Sequence, residues 1–123
     1  MEKEIYESGE DYLETILSLQ KQMGQVRSID VAHALNYSKP SVSRAMKILT
    51  EKGLIYMDGK KHIHLTDLGL AKAENVARRH RILKAALIEI FGINPDTAEE
   101  DACRIEHIVS EETIEKIQAK LDE

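Results

Sequence analysis

Residues 26–52 constrain the fold of this chain more than any other segment. Ser38 is placed to cap a helix that has Pro40 in its first turn, where the missing N–H of proline is harmless. Gly53 follows that helix, and a glycine in the left-handed conformation is typical of a helix C-terminus. A shorter helix, expected over residues 29–35, precedes it across a tight turn. Two helices joined in this way predict a helix-turn-helix.

The residues after this helix pair predict a β-hairpin. Two short β-type runs, residues 54–56 and 62–65, flank an Asp-Gly pair that begins at Asp58. An Asp-Gly pair between apolar runs is a strong hairpin signal. A hairpin that directly follows a helix-turn-helix is typical of the wing of a winged helix. His62 and His64 alternate along the second run, and we interpret them as wing surface or minor polar contacts rather than as metal ligands.

Charge is distributed unevenly along the chain. The net charge of −5 argues by itself against a nucleic-acid partner. Residues 26–81 nevertheless carry 11 basic and 5 acidic groups, whereas the segments before and after them are acidic. A basic middle indicates a part that faces a polyanion, and the acidic ends indicate a part that could hold cations.

The cellular compartment follows from what the sequence lacks. A single cysteine excludes an internal disulfide. Since there is also no signal peptide and no long apolar run, we predict a cytoplasmic protein without a membrane partner.

The second helix of the pair and the hairpin tip carry side chains suited to DNA. Serine and arginine can reach base edges, and lysine suits phosphates. Two lysines at the hairpin tip would meet the phosphate backbone and make affinity depend on salt. The alternative is a basic helix surface that only faces solvent. The candidate DNA-binding residues are Lys39, Pro40, Ser41, Ser43, Arg44, Lys47, Lys60 and Lys61.

A different group of residues indicates metal chemistry. If residues 101–110 are helical, Cys103, Glu106 and His107 stand at i, i+3 and i+4 and leave one face. A thiolate, a carboxylate and an imidazole together suit a divalent transition metal. Three ligands from one helix do not close such a site, so other segments must supply the rest. The alternative is a buried Cys103 beside a solvated Glu-His pair.

The remaining sequence predicts further helices. Apolar periodicity over residues 7–23 predicts a first helix, on which Asp11 and Glu14 share a face. Thr66 is placed to cap a long helix that reaches about Phe91. The arginine-rich segment at 78–81 within it is interpreted as a solvated or phosphate-facing surface. Two more helices are expected, one carrying the decapeptide 101–110 and one over 111–121.

With these parts assembled, the chain resembles the iron- and manganese-dependent repressors, the family of the diphtheria toxin repressor and the manganese transport regulator. The resemblance runs through residues 10–14, 38–52, the hairpin, 79–81 and 101–110. Its most specific part is Cys-x-x-Glu-His at 103–107, which looks like the metal motif of iron-type members. In this family a divalent metal ties the first helix, the long helix and the next helix together. The ligands that the resemblance implies are Asp11, Glu14, His80, Cys103, Glu106 and His107.

The chain departs from both types of this family. Asp11 and Glu14 look like manganese-type members, whereas Cys103 looks iron-type. Lys84 and Glu99 stand where iron-type members have a carboxylate and a histidine of a second site. The resemblance therefore implies a hybrid site near the two acids of the first helix. Carboxylates and imidazole accept Mn²⁺ or Fe²⁺, and one thiolate shifts the preference toward softer ions. We therefore expect Fe²⁺ or Mn²⁺ in the cell and also Co²⁺ or Zn²⁺ in vitro.

The resemblance implies a mainly α fold in two domains. Residues 1–72 would form a winged helix-turn-helix DNA-binding domain, and residues 73–123 an α-helical metal-binding and dimerisation domain. The SH3-like domain of longer members is expected to be absent. Dimerisation is expected through the apolar stripes of residues 82–91 and 96–108.

The implied function is a divalent-metal-responsive transcriptional regulator, expected to be a repressor, that binds double-stranded operator DNA as a homodimer. The alternative is a metal-independent winged-helix module that binds DNA or protein. An enzyme is not expected. Cys103 and His107 could be a nucleophile and a base, but no orienting third group or oxyanion-hole loop is evident.

Overall fold

Six helices and one hairpin make up the part of the chain described by the structure, a computed structural model. It describes the backbone of residues 2–123 and the side chains from Gly9 onward. Contacts divide it into two compact units, one up to Glu74 and one from Asn75 to Glu123. In chain order the elements are α1 (Glu2–Met23), α2 (Ser28–Leu35), α3 (Lys39–Glu51), β1 (Ile55–Met57), β2 (Ile63–Leu65), α4 (Asp67–Glu89), α5 (Pro95–Ile105) and α6 (Glu111–Leu121).

The first unit has an aliphatic core shared by α1, α2, α3 and the hairpin. Leu13 and Ile16 of α1 are buried, as the helical period of apolar residues predicted. Val31 of α2, Val42 of α3 and Ile63 of β2 meet them in one cluster. The predicted winged helix-turn-helix is therefore confirmed.

The ends of α3 follow the local chemistry predicted for them. The Ser38 hydroxyl accepts a hydrogen bond from the Ser41 amide at 3.3 Å, and a proline occupies the first turn. Gly53 has a φ of +74°, so the chain turns back at a residue that tolerates the left-handed region. Other predicted ends shift: α1 begins at Glu2 rather than near residue 7, and α4 ends at Glu89 rather than near Phe91.

The hairpin is antiparallel and short. Ile55 pairs with Leu65, and Met57 pairs with Ile63, so each strand has three residues. An isolated two-stranded hairpin is marginally stable in water. Here the Ile63 amide donates to the Val26 carbonyl at 2.7 Å, and Gln20 Nε2 donates to the Ile63 carbonyl at 3.2 Å. These bonds attach β2 to the helical core.

The second unit packs the remainder of α4 with α5 and α6. Ile82, Leu83, Ala102 and Ile114 form its buried cluster. The Ser110 hydroxyl accepts from the amide at the third position of α6 at 3.1 Å, as expected for a helix cap. Within the described residues, no helix combines the length and apolar character needed to cross a membrane.

Gly69 lies where the start of α4 passes the backbone of Leu54. A Cβ at this position would stand 1.9 Å from the Leu54 carbonyl oxygen. Backbone atoms cannot move aside as a flexible side chain can, so we expect Gly69→Ala to lower the free energy of unfolding by about 1–3 kcal/mol. Urea unfolding followed by circular dichroism measures this change.

Gly9→Ala in α1 is the matched control for that substitution. A Cβ at Gly9 would meet nothing within 4 Å. Because alanine is the better helix former by about 0.5–1 kcal/mol, this variant should unfold at a higher urea concentration than the wild type. Equal midpoints for the two variants would contradict the close approach at Gly69.

Candidate metal centre and nucleic-acid interface

The eight predicted DNA-binding residues are all exposed on the first unit. Val42, Met46 and Leu49 form the buried stripe of α3, so the serine and basic side chains between them face solvent. The Ser41 hydroxyl also lies 2.9 Å from the Ser38 hydroxyl at the helix start. Helix α3 thus presents to solvent serine and basic side chains, the types that can contact base edges and phosphates.

The hairpin tip places two exposed lysines around one carboxylate. Asp58 Oδ1 accepts hydrogen bonds from the amides of Lys60, at 2.8 Å, and His62, at 3.0 Å. Asp58 Oδ2 lies 2.8 Å from His64 Nε2. The hydrogen bond with His64 and the amide of His62 hold the pKa of Asp58 well below its usual range. His62 is buried, with Nδ1 3.6 Å from Asp58 Oδ2, so of the two roles expected for the histidines it has the minor polar contact and not the exposed wing surface.

His80 and Glu106 lie in direct contact within the second unit. His80 Nδ1 stands 2.6 Å from Glu106 Oε1, and the Glu106 side chain is fully buried. The other carboxylate oxygen, Oε2, has no hydrogen-bond partner among the described residues. Because a buried carboxylate oxygen without a donor is unfavourable, this atom fits a bound cation.

The second nitrogen of His80 also faces a carboxylate. His80 Nε2 lies 3.0 Å from Glu99 Oε2, and Lys84 Nζ lies 2.9 Å from Glu99 Oε1. The hydrogen bond with Glu106, opposed by burial and assisted by Glu99, raises the pKa of His80 to about 9. Sequence reasoning identified Lys84 and Glu99 only as departures from the family, and the structure pairs them with each other.

The motif at residues 103–107 does not form one continuous helix. Helix α5 ends at Ile105, and Glu106 is its C-cap, so His107 lies in the turn that follows. Cys103 is exposed, whereas Glu106 is buried. The expectation of a helix that carries all of residues 101–110 is wrong after Ile105, and a shared face for the three side chains stays a prediction. The His107 side chain is 3% exposed, and its Nε2 stands 3.9 Å from Glu106 Oε2. That distance is too long for a hydrogen bond.

Asp11 and Glu14 are one turn apart on α1, in the first unit, and both are half-buried. Among the described residues of the second unit alone, no three His, Cys, Asp or Glu ligand atoms lie within 4.8 Å of one another. The second unit by itself therefore does not supply a closed set of metal ligands. That Asp11 and Glu14 are metal ligands stays a prediction from the sequence.

The arginine-rich segment of α4 has structural partners. Arg78 pairs with Glu111, and Arg79 donates through Nη2 to the Val109 carbonyl. The interpretation of this segment as a solvated or phosphate-facing surface is wrong for Arg79, whose Nε is buried, whereas the Arg78 side chain is 38% exposed. Arg79 holds the turn that follows His107 against α4. Nothing local in the sequence distinguishes such an arginine from an exposed one.

Comparison with protein families gives matches over nearly the whole chain. Residues 4–63 match the iron dependent repressor, N-terminal DNA binding domain. Residues 66–123 match the iron dependent repressor, metal binding and dimerisation domain.

Curated relatives and solved structures agree with these matches. The chain is 37% identical over 106 residues to the transcriptional regulator MntR of Escherichia coli, covering 86% of this chain and 68% of that protein. It is 32% identical over 109 residues to the iron-dependent repressor IdeR of Mycobacterium bovis, covering 89% of this chain and 47% of IdeR.

Among solved structures, a manganese-dependent transcriptional repressor in complex with manganese superposes with a TM-score of 0.84 at 31% identity. The match covers 93% of this chain and 52% of that one. The chain thus spans about half the length of this structure.

Proposed function

The chain belongs to the iron-dependent repressor family, and we propose that it is a divalent-metal-responsive transcriptional regulator that represses by binding operator DNA as a homodimer. The observation that carries this proposal is the buried Glu106 carboxylate, which contacts His80 and keeps an oxygen without a donor among the described residues. We assign DNA binding to residues 1–72 and metal binding with dimerisation to residues 73–123. We place the protein in the cytoplasm and assign it no enzymatic activity.

The donor set fits Fe²⁺ or Mn²⁺. Carboxylates and imidazoles accept both ions, and one thiolate favours the softer Fe²⁺. The names of the relatives, which include iron-dependent and manganese-dependent repressors, support the same pair of ions. When bound, the ion would supply the positive charge that a group of carboxylates needs. The residues that would hold it are Asp11, Glu14, His80, Cys103, Glu106 and His107.

Regulation would follow from the charge of these residues. If they share one site, the acidic side chains of α1 and Glu106 would repel one another without a cation. Their shared ligation would couple α1, and with it the recognition helix of the first unit, to the dimerising second unit. Two winged helices held at one spacing match the two half-sites of a palindromic operator. The metal ion can regulate in this way only if its affinity differs between the state that binds DNA and the state that does not.

The second unit offers an apolar surface for a second copy of the chain. Phe91, just after α4, is 69% exposed, and Ile90 is 40% exposed. A groove between α4 and α6 continues this surface through Leu83, Leu87 and Ile117. Exposed apolar patches of this kind are typical of protein interfaces. They support dimerisation through residues 82–91.

Removal of metal tests the proposal. Under anaerobic, reducing conditions, DNA binding by the chelator-treated protein should be weak and should rise on titration with Fe²⁺ or Mn²⁺, measured by fluorescence anisotropy with operator-containing fragments. Circular dichroism should show that the helices persist without metal, because their caps and apolar stripes are independent of the ligands. DNA binding that is equally tight without metal would instead support the metal-independent module.

A further inference from the structure

One carboxylate organises the tip of the hairpin. Asp58 accepts hydrogen bonds from two backbone amides of the tip, those of Lys60 and His62, through one oxygen. Its other oxygen faces His64 Nε2 at 2.8 Å. The His64 ring stacks on Tyr56 of the opposite strand, with ring centroids 4.9 Å apart. Asp58 thereby joins the tip to both strands.

The tip needs such a support because its backbone is strained at a lysine. Lys61 has a φ of +64°, a left-handed conformation that non-glycine residues rarely adopt. The two amides that Asp58 binds belong to the residues on either side of Lys61. The neighbouring Lys60 and Lys61 also repel each other, and the strands of three residues cannot by themselves impose this geometry.

The position of Asp58 is unexpected for a DNA-binding surface. Its hydrogen bonds stabilise the anionic form, so the pKa of the carboxyl lies well below its usual range. A fixed negative charge beside Lys60 and Lys61 opposes their attraction to phosphate. An acid at this position must therefore contribute something other than charge if the tip meets DNA.

We propose that Asp58 is a positioning residue for DNA binding, which fixes the hairpin tip so that Lys60 and Lys61 meet the phosphate backbone together. His64 and Tyr56 hold the Asp58 carboxylate in place. This inference rests on the proposed DNA-binding function and adds a residue that makes no favourable contact with DNA itself. It predicts that removal of the Asp58 carboxylate weakens DNA binding, whereas its negative charge alone would predict tighter binding after removal.

The test compares Asp58→Ala with the wild type, both as full chains saturated with Mn²⁺. Binding to a labelled mixed-sequence DNA duplex is measured by fluorescence anisotropy at several salt concentrations. Each lost phosphate contact reduces the salt slope by about 0.9, which corresponds to roughly tenfold weaker binding at about 0.1 M salt. We expect Asp58→Ala to show this loss of affinity and of slope. Equal or tighter binding with an unchanged slope would overturn the proposal.

Two controls separate geometry from charge. Asp58→Asn keeps an oxygen that can accept the tip amides but removes the charge, so it should retain most of the wild-type affinity. Glu51→Ala removes an exposed carboxylate elsewhere on the first unit and should leave binding unchanged or slightly tighter. Weakening by Glu51→Ala as large as that by Asp58→Ala would contradict a specific role for the tip.

A double-mutant cycle with Lys60→Ala gives a readout that a loss of stability would not produce. If Asp58 acts by positioning the tip, Lys60→Ala should weaken binding much less in the Asp58→Ala background than alone. Additive effects would overturn the proposal. Thermal unfolding verifies that the variants are folded. His64→Gln, which removes the stacking on Tyr56 and alters the contact to Oδ2 but keeps the two amide hydrogen bonds of Asp58, should show a smaller loss in the same direction.

The outcome for the wild type separates this inference from the function on which it rests. Wild-type protein that shows no salt-dependent DNA binding would overturn both. Wild-type protein that binds, together with an Asp58→Ala variant that binds equally well, would overturn the positioning role alone.

Discussion

Glu106→Gln is expected to abolish metal-activated DNA binding while the protein remains folded. The buried carboxylate would become a neutral amide, which cannot compensate the charge of a bound cation and offers a single acceptor atom. Changes to groups that merely support metal ligands typically weaken metal affinity 10–100-fold, so loss of a ligand should weaken it by more than about 100-fold. Equilibrium dialysis with Mn²⁺ and DNA anisotropy measure the two effects.

Glu99→Gln is the matched control for this prediction. Glu99 also contacts His80 but is half-exposed and outside the proposed ligand set. It should therefore retain metal-activated DNA binding. Loss of metal binding in both variants to the same extent would contradict the assignment of Glu106 as a ligand.

The pKa of His80 gives a second readout of the Glu106 contact, one that needs no metal. In the wild type the hydrogen bond with Glu106 is the main cause that raises this pKa to about 9. In Glu106→Gln the opposing effect of burial and the smaller raising effect of Glu99 remain, so the pKa of His80 should fall from about 9, and NMR titration of the imidazole would show it. Since a metal that binds His80 must displace a proton, metal affinity should also weaken as pH falls below about 9.

The fold was predictable because its signals are local. Ser38, Pro40 and Gly53 fix the ends of α3 through their own backbone preferences, and the Asp-Gly pair fixes the hairpin turn. Each of these signals acts within a few residues. They can be recognised without knowledge of tertiary contacts, and for that reason the winged helix-turn-helix could be predicted from the sequence.

The geometry of the candidate metal centre was not predictable in the same way. The spacing of Cys103 and Glu106 indicates a shared helix face, but periodicity does not show that α5 ends at Ile105. Nor does it show that Glu106 is buried while Cys103 is exposed. Burial depends on the packing of α4 against α5, and residues 26 positions apart, such as His80 and Glu106, meet only in the folded chain.

Asp58 shows the same limit at a smaller scale. Its place before Gly59 predicted a turn, and the turn is present. That its carboxylate accepts two tip amides and faces His64 depends on side-chain conformations that the dipeptide does not specify. Asp-Gly turns occur with or without such a network, so the sequence predicted the element and not its support.

Cys103→Glu is expected to shift metal activation toward Mn²⁺. A thiolate is a soft ligand, whereas a carboxylate is hard and suits Mn²⁺. If Cys103 is a ligand, the ratio of Mn²⁺ to Fe²⁺ affinity should rise by about tenfold or more, the scale on which changes around a metal site alter affinity. Competitive metal titrations under anaerobic conditions measure this ratio.

Alkylation of Cys103 decides whether the thiol contributes at all. The thiol is exposed, and the chain has one cysteine, so the reaction of a small alkylating reagent reports on this residue alone. A metal-bound thiolate should be protected from the reagent when metal is saturating. Absence of protection, together with an unchanged metal preference in Cys103→Ala, would remove Cys103 from the ligand set. The other five ligands are all hard or borderline, and the selectivity would then favour Mn²⁺.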